Sequence, residues 1–456
     1  GLGDVYKRQK QQNRREIIMP EQESCVSGSI KLGMPKIKKS APISKYPLSS
    51  TQTGIFFLSQ MNHSGLALEL CYQLILRGIP DDAALEKALY ALEERHPVLK
   101  TRFVLDEGKA WQYIVSNQKL NISYYNFLHL TSIERDSKLK QIIQTELEQS
   151  FQIFDSPLVH YCLIRYAADR TIILLKVHHL ITDGFSFEIL HRHFAEFYNQ
   201  YHKGGTLISS DESTYSDYVC WENELTDTKY YQESKSFWEK TVKPKCDPLE
   251  LASDFPRPYP RQYTGSIFEQ QLDQTSKKQL IHLGIQRSVS LATVLLTALA
   301  IVLYKHSGQN DFYIGVVVNG RSNLPQLRNI VGVFSKILPI RLTFDSNMKI
   351  GDLLQYVNMQ LTESLDHQLY PTHEIINMNS NQKSADFAPL YRVLFNMQQT
   401  EKTEIDWDGL KEEQWSKLDA NSSMYDLAVH VFDNNECLKL KIEYCLSLIH
   451  ISEPTR

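Results

Sequence analysis

The sequence predicts an α/β protein built as two lobes of related design. Three observations carry that reading. The chain has 456 residues, enough for two domains of ordinary size. Strand-like and helical segments alternate as strand, helix, strand in each half. Between the halves runs a Gly- and Ser-rich stretch, Lys203-Gly-Gly-Thr-Leu-Ile-Ser-Ser-Asp-Glu-Ser213, with the composition of a boundary loop. The expected division is a linker at 10–42, a first lobe at 43–214 and a second lobe at 215–445.

Residues 10–42 are polar, with Lys36, Lys38 and Lys39 and no periodicity. Structure is expected from Tyr46, where Ser49 or Ser50 caps a helix running through Gln60. A strand is expected at 71–76. Asp81 or Asp82 then opens a helix with Leu85, Ala88, Leu89 and Leu92 at i, i+3, i+4 and i+7, ended by Pro97. Strands at 98–105 and 110–115 and a helix at 132–149 follow. The run Thr171-Ile-Ile-Leu-Leu-Lys-Val177 has the composition of a buried strand. Past it, 185–201 reads as a helix with apolar Phe187, Leu190, Phe194 and Phe197. In the second half, strands are expected at 266–272 and 312–318, with helices at 275–285 and 291–304 between them.

Composition is that of a soluble globular chain: 42% hydrophobic, 22% charged, net charge −4. That balance gives no reason to expect nucleic acid or an anionic membrane as a partner. The longest apolar run, 291–304, is broken by Lys305 and His306 before it reaches membrane-spanning length. Seven cysteines are scattered without a C-x-x-C pair, and an odd number argues against a disulfide framework. With no signal peptide visible, a reducing cytoplasm is the simplest setting. Both termini look foreign to the fold. Asp4-Val-Tyr-Lys-Arg-Gln9 and the segment 446–456 read as translations of the two ends of a transposon sequencing adapter, and are set aside from fold reasoning. The second lobe is then expected to be truncated at 445.

The most informative stretch is Lys176-Val-His-His-Leu-Ile-Thr-Asp-Gly-Phe-Ser186, an H-H-x-x-x-D-G pattern at the end of the buried strand. Successive strand side chains point to opposite faces, so His178 and His179 serve different surroundings. One faces packing and the other a cavity. A strand-end histidine with an acid four residues on suits proton handling or orientation of a nucleophile. Two histidines and an aspartate also suggest zinc, but opposed faces and the lack of a clustered fourth ligand argue against a metal.

Seven stretches in order then resemble the condensation domains of nonribosomal peptide synthetases, over roughly 46–444. Tyr46-Pro-Leu-Ser-Ser-Thr-Gln52 is similar to P-L-S-x-x-Q, and Arg95-His-Pro-Val-Leu-Lys-Thr-Arg-Phe103 to R-H-E-x-L-R-T-x-F. The H-H-x-x-x-D-G stretch is intact. Tyr215-Ser-Asp-Tyr-Val-Cys-Trp221, Asn319-Gly-Arg321 with Ile330-Val-Gly-Val-Phe334, His367-Gln-Leu-Tyr-Pro371, and Pro389-Leu-Tyr-Arg-Val-Leu-Phe-Asn396 resemble the later motifs. The resemblance implies two chloramphenicol-acetyltransferase-like lobes in a V-shaped pseudo-dimer with a central tunnel. It implies amide-forming acyl transfer between a donor and an acceptor carrier protein, with an adenylation domain adjacent. Substrates would ride on the carriers' phosphopantetheine, with no cofactor bound by this domain. His179 would be the catalytic histidine and Gly184 a backbone donor to the oxyanion. His178 and Asp183 would be structural within the site. Arg321, Trp221 and Asn396 are candidate tunnel or support residues, with Gln398 beside Asn396 on an expected strand. For Arg321 an acid near the tunnel and a surface or interlobe salt bridge are equal alternatives.

Some positions depart from the family pattern. Pro97 and Lys100 replace a glutamate and an arginine, Phe185 replaces a tryptophan, and Ser335-Lys336 stands where Val-Asn is usual. Rival readings within the same superfamily are an epimerization domain, an ester-forming acyltransferase and a non-catalytic recruitment domain. The epimerization motif E-G-H-G-R-E is not found between 319 and 444, and an intact histidine motif disfavours the silent domain.

Overall fold

The computed structural model describes residues 37–39, 45–60, 68–206, 212–244, 246–256, 262–321, 324–345, 347–379, 390–399, 405–434 and 436–447. Most of the expected linker at 10–42 and of the terminal segments 4–9 and 446–456 lies outside the described residues.

The first half runs β1 (Tyr46–Pro47), α1 (Ser50–Ser59), β2 (Glu69–Arg77), α2 (Asp82–Arg95), β3 (Thr101–Asp106), β4 (Lys109–Ile114), β5 (Ile122–Asn126), α3 (Ser132–Glu148), β6 (Val159–Ala167), β7 (Arg170–His178) and α4 (Gly184–His202). Its helices begin where side chains satisfy first-turn N–H groups. Ser49, Asp81, Thr131 and Asp183 accept from Gln52, Ala83 and Ala84, Glu134, and Ser186 respectively. The strand expected from 98 starts only at Thr101. Pro97 fixes φ and lacks an N–H, and Pro97–Lys100 forms a 3₁₀ turn instead.

A five-stranded sheet in the order β12-β2-β7-β6-β5 organises this half, where β12 is Lys411–Leu418. Along β7, Ile173, Leu175 and Val177 join the core containing Phe187 and Leu190 of α4 and Leu85 and Leu89 of α2. Ile172 and Leu174 join a smaller core under Leu139, Ile142 and Ile143 of α3. A strand covered on both faces must be apolar at every position, which accounts for the unbroken run at 171–175.

The second half contributes α5 (Tyr215–Glu224), α6 (Lys229–Val242), β8 (Gly265–Leu272), α7 (Gln274–Arg287), α8 (Leu291–Ser307), β9 (Asp311–Val318), β10 (Lys336–Thr343), α9 (Ile350–Asp366), α10 (Thr372–Asn379), β11 (Val393–Gln399), β13 (Leu427–Asp433) and β14 (Leu438–Cys445). Six strands form a second sheet in the order β10-β9-β11-β13-β14-β8. In it β11 runs parallel to β9 and β13, and the other pairs are antiparallel. One face buries Val393, Phe395, Val429 and Val431 against Trp238, Leu296 and Leu353 of α6, α8 and α9. Among the described residues no single helix is long and apolar enough to cross a membrane.

Several segments from beyond 214 lie in the first core, among them Leu327 to Phe334 and Leu369. Tyr215, Tyr218 and Trp221 of α5 pack there, and β12 completes the first sheet by pairing antiparallel with β2. Trp415 of β12 stacks on His191 of α4 at 4.2 Å, and Trp407 meets Phe194 edge-on at 5.3 Å. The halves are therefore joined by exchanged elements as well as by surface contact.

Gly332 marks one such junction. A Cβ there would lie 2.1 Å from Cδ2 of Tyr215. The ring is held by hydrogen bonds linking its hydroxyl to Ser49 (2.9 Å) and to the Val333 carbonyl (3.0 Å). Gly332→Ala is expected to cost about 1–3 kcal/mol through overpacking, read as a lower urea midpoint. An unchanged midpoint would show that the close contact is not made.

Candidate active site

The two histidines diverge as strand geometry requires. His178 ends β7, is buried, and its Nδ1 accepts the Leu180 N–H at 3.0 Å. Burial first, then the neighbouring His179 and Lys176, push its pKa down to about 3. His179 lies one residue beyond the strand, half-buried, its N–H donating to the Leu68 carbonyl at 2.8 Å. Its Nδ1 is buried with no hydrogen-bond partner of good geometry among the described residues. Burial lowers the His179 pKa, and Lys417 of β12 adds to that; Asp183 and the backbone at His179 and Thr182 act the other way. The ring is neutral near pH 7.

Asp183 is fully buried as the N-cap of α4. Arg321 approaches it with both terminal nitrogens, Nη1 to Oδ2 at 2.7 Å and Nη2 to Oδ1 at 3.1 Å. Ser186 donates its N–H (2.9 Å) and Oγ (2.8 Å) to Oδ1. The N–H groups of Phe334 (2.9 Å) and Ser335 (3.1 Å) donate to Oδ2, as does the Ser335 hydroxyl at 3.2 Å. Burial alone would raise this carboxyl. The Arg321 charge and the converging donors outweigh it and hold the pKa at about 2. Arg321 is 2% exposed, and its guanidinium lies 4.2 Å from the Phe334 ring centre and 4.9 Å from that of Phe185. Gly320, at φ 67°, lets the chain pass there: a Cβ would lie 2.2 Å from the Phe334 carbonyl oxygen.

The other singled-out residues fall around this centre. Gly184 is the first residue of α4, half-exposed, and the nearest atom to a Cβ built on it is Nε2 of Gln398 at 3.9 Å. Strand β11 of the second sheet therefore stands opposite the start of α4. Asn396, two residues earlier on β11, bonds His430 at 3.2 Å. Trp221 is buried in the first core. Lys336, one of the departures from the family pattern, is buried against Glu222 at 3.1 Å, and Glu222 also accepts from Ser50 N–H and Oγ. His178, His179 and Asp183 do not converge on one point, because both Asp183 oxygens are occupied by Arg321 and its fellow donors. Sequence reasoning missed Ser186, although its spacing three residues after an N-cap aspartate is a capping signal. It also missed Lys417, for which the sequence offers no signal.

A family model described as Condensation domain matches residues 43–449. The chain belongs to the condensation-domain family. It is 27% identical over 403 residues to tyrocidine synthase 3 of Brevibacillus parabrevis, covering 88% of this chain and 6% of that protein. To surfactin synthase subunit 2 of Bacillus subtilis (strain 168) it is 25% identical over 434 residues, covering 95% and 12%. The chain thus spans a small part of the length of these relatives. Among solved structures, the X-domain from teicoplanin biosynthesis in complex with OxyB matches with a TM-score of 0.83 at 19% identity, covering 92% of each chain. A starter condensation domain of rhizomide synthetase matches with a TM-score of 0.74 at 18% identity, covering 89% and 90%.

In this condensation domain Asp183→Asn is expected to destabilise by about 3–5 kcal/mol, because it leaves Arg321 buried without its counter-charge. The pH dependence has a definite sign. A carboxyl held at about 2 when folded, against 3.8 for the free group, stabilises the fold above pH ~4. That contribution fades as pH falls toward ~2. Urea midpoints measured across this range should fall for the unaltered chain and lose this component in Asp183→Asn. Identical pH profiles would remove Asp183 from the acid response.

Proposed function

We propose that this domain forms an amide bond between a donor acyl or peptidyl thioester and the α-amine of an acceptor aminoacyl thioester. Both are carried on phosphopantetheine of partner carrier proteins, with an adenylation domain nearby. The amine nitrogen attacks the thioester carbonyl carbon, the C–S bond breaks, the donor thiol leaves, and the nitrogen gives up a proton. The observation that carries this reading is His179: a half-buried, neutral imidazole just before the N-terminus of α4, where Gln398 of the second sheet approaches Gly184.

Each group has a role in that step. An α-amine has a pKa of roughly 8, so near neutrality it must lose a proton or be captured as free base. The Nδ1 side of His179 faces the protein backbone, which leaves Nε2 to accept from the amine. Positioning alone supplies several kcal/mol of barrier reduction. The Gly184 N–H points from a helix N-terminus, where partial positive charge favours a developing oxyanion. Asp183 and Arg321 hold the turn bearing both groups and take no proton. Asn396 and Gln398 line the opposite wall.

Ester formation differs only in the nucleophile. The recruitment reading has one observation in its favour, the fold match to an X-domain solved with a partner protein. At 19% identity that match speaks of fold alone, and the accessible His179 favours catalysis.

With loaded donor and acceptor carriers, and product followed by intact mass spectrometry, His179→Ala is expected to lower condensation about 10²–10⁴-fold. In the unaltered domain kcat/KM should fall as pH drops below the depressed His179 pKa, itself under 6.5. Equal yield from the variant would remove His179 from the mechanism, and product from neither protein would favour recruitment. A second variant isolates the backbone donor. Proline suits the first position of a helix, and Asp183 already has the extended conformation (φ −129°, ψ 175°) that a following proline requires. Gly184→Pro therefore keeps the fold and deletes the N–H. The turnover number should drop about 10²–10³-fold, whereas Gly184→Ala, which keeps the N–H, should fall far less. Equal turnover for Pro and Ala would exclude the N–H as a donor.

A further inference from the structure

The face of the first sheet away from His179 carries a second group of reactive side chains. His160 and Cys162 stand two residues apart on β6, so strand geometry aims both to one side. That side is covered by α3, whose last turn brings Glu146 over them. Cys162 and Glu146 are buried and His160 is half-buried.

The separations are those of a ligand set. His160 Nδ1 lies 3.0 Å from Glu146 Oε2, Cys162 Sγ 3.4 Å from Glu146 Oε1, and Sγ 3.9 Å from Nδ1. Zinc bonds of about 2.0–2.3 Å to nitrogen, oxygen and sulfur place tetrahedral ligand atoms about 3.3–3.7 Å apart. The three donors therefore need to move only a few tenths of an ångström to share one ion. Nε2 of His160 is engaged by Ser123 Oγ at 3.1 Å, which fixes the ring and turns Nδ1 to the cluster. An outer partner of that kind orients ligating histidines. A thiolate, a carboxylate and a neutral imidazole would balance a divalent charge and suit a borderline-soft metal. Lys176 adds a positive charge nearby, but it is engaged by the Gln149 carbonyl and by Glu69 at 3.8 Å.

We propose that Glu146, His160 and Cys162 form a site for a zinc-class divalent cation, bracing the end of α3 against β6 on the side of the sheet opposite the catalytic gap. A solvent molecule completes the coordination. The same three side chains also make a metal-free hydrogen-bonded trio, with the Cys162 thiol donating to Glu146, and the experiment separates the two.

The full chain, stripped with chelator under reducing conditions, is titrated with Co²⁺. Binding here gives a saturable thiolate-to-cobalt charge-transfer band in the near ultraviolet, displaced by Zn²⁺. The band should vanish in Cys162→Ala and weaken in His160→Gln and Glu146→Gln. Ser123→Ala should lower affinity about 10–100-fold. His179→Ala, altered on the other face, should keep the band unchanged. Circular dichroism checks that each variant is folded. Should a ligand variant fail to fold, Zn²⁺ must still raise the melting temperature of the unaltered chain. No band and no rise in melting temperature leaves the hydrogen-bonded trio and overturns the proposal. So does a band that survives intact in Cys162→Ala.

Discussion

A single buried carboxylate, Asp183, is the constraint on which the site depends. Removing a charge from water is costly enough that a buried ion pair contributes little net stability by itself, while losing one partner is severe. Asp183 must therefore recruit donors from everywhere around it, and those donors come from both halves of the chain. Arg321 arrives from the loop after β9, Phe334 and Ser335 from the segment before β10, and Ser186 from its own helix. The Ser186 hydroxyl in turn accepts the Gly332 N–H at 3.1 Å. One acid thus fixes the start of α4, the turn carrying His179 and the approach of the second half. Its demand is geometric as much as electrostatic. A bidentate guanidinium fits two carboxylate oxygens in a way a lysine cannot.

Other stretches similar to family motifs feed the same neighbourhood. The Gln52 amide donates to the Leu180 carbonyl at 2.9 Å and exchanges hydrogen bonds with Gln112, tying α1 to the turn after His179. The Tyr215 hydroxyl spans Ser49 and Val333. His96 meets His193 of α4 at 2.8 Å, which holds α2 to the helix that Asp183 caps. His367 does something different. It bonds Ser234, and its carbonyl accepts from Trp238, so it belongs to the second core. Sequence order conceals this division between residues that brace the turn and residues that brace a lobe.

Local signals made part of the fold legible. The caps at Ser49 and Asp81, the amphipathic spacing of Leu85 to Leu92 and the apolar run ending at Val177 each act within a few residues, so the chain announces them. The strand–turn–helix around Asp183 was legible for the same reason. What stayed hidden depends on distant partners. β12, Lys-Glu-Glu-Gln-Trp-Ser-Lys-Leu, lacks the alternation of a half-buried strand, and only its pairing with β2 across more than three hundred residues makes it one. The identity of the Asp183 partner was likewise open between two alternatives for Arg321, because nothing local records a contact 138 residues away. Ser335-Lys336 departs from the family's Val-Asn. In the fold the Asp183 contact at 335 runs partly through a backbone N–H, which every residue except proline provides. Lys336 meanwhile turns to Glu222, whose carboxyl burial would raise but Lys336 and Ser50 hold low.

The second sheet carries a polar row on one face. Residues paired across strands share a face, and one such row on the second sheet reads Asn396, His430 and Lys441. A sheet face that packed against apolar neighbours would not hold these side chains. Here they satisfy one another: Asn396 bonds His430, Lys441 pairs with Asp419, and Glu443 lies 3.7 Å from His430. Burial pushes the Glu443 carboxyl up, yet His430 and the charges of Lys417 and Lys441 bring it to about 2. Burial does most to lower the His179 pKa; Lys417 of β12, the strand that completes the first sheet, adds to it and also helps to lower the Glu443 carboxyl.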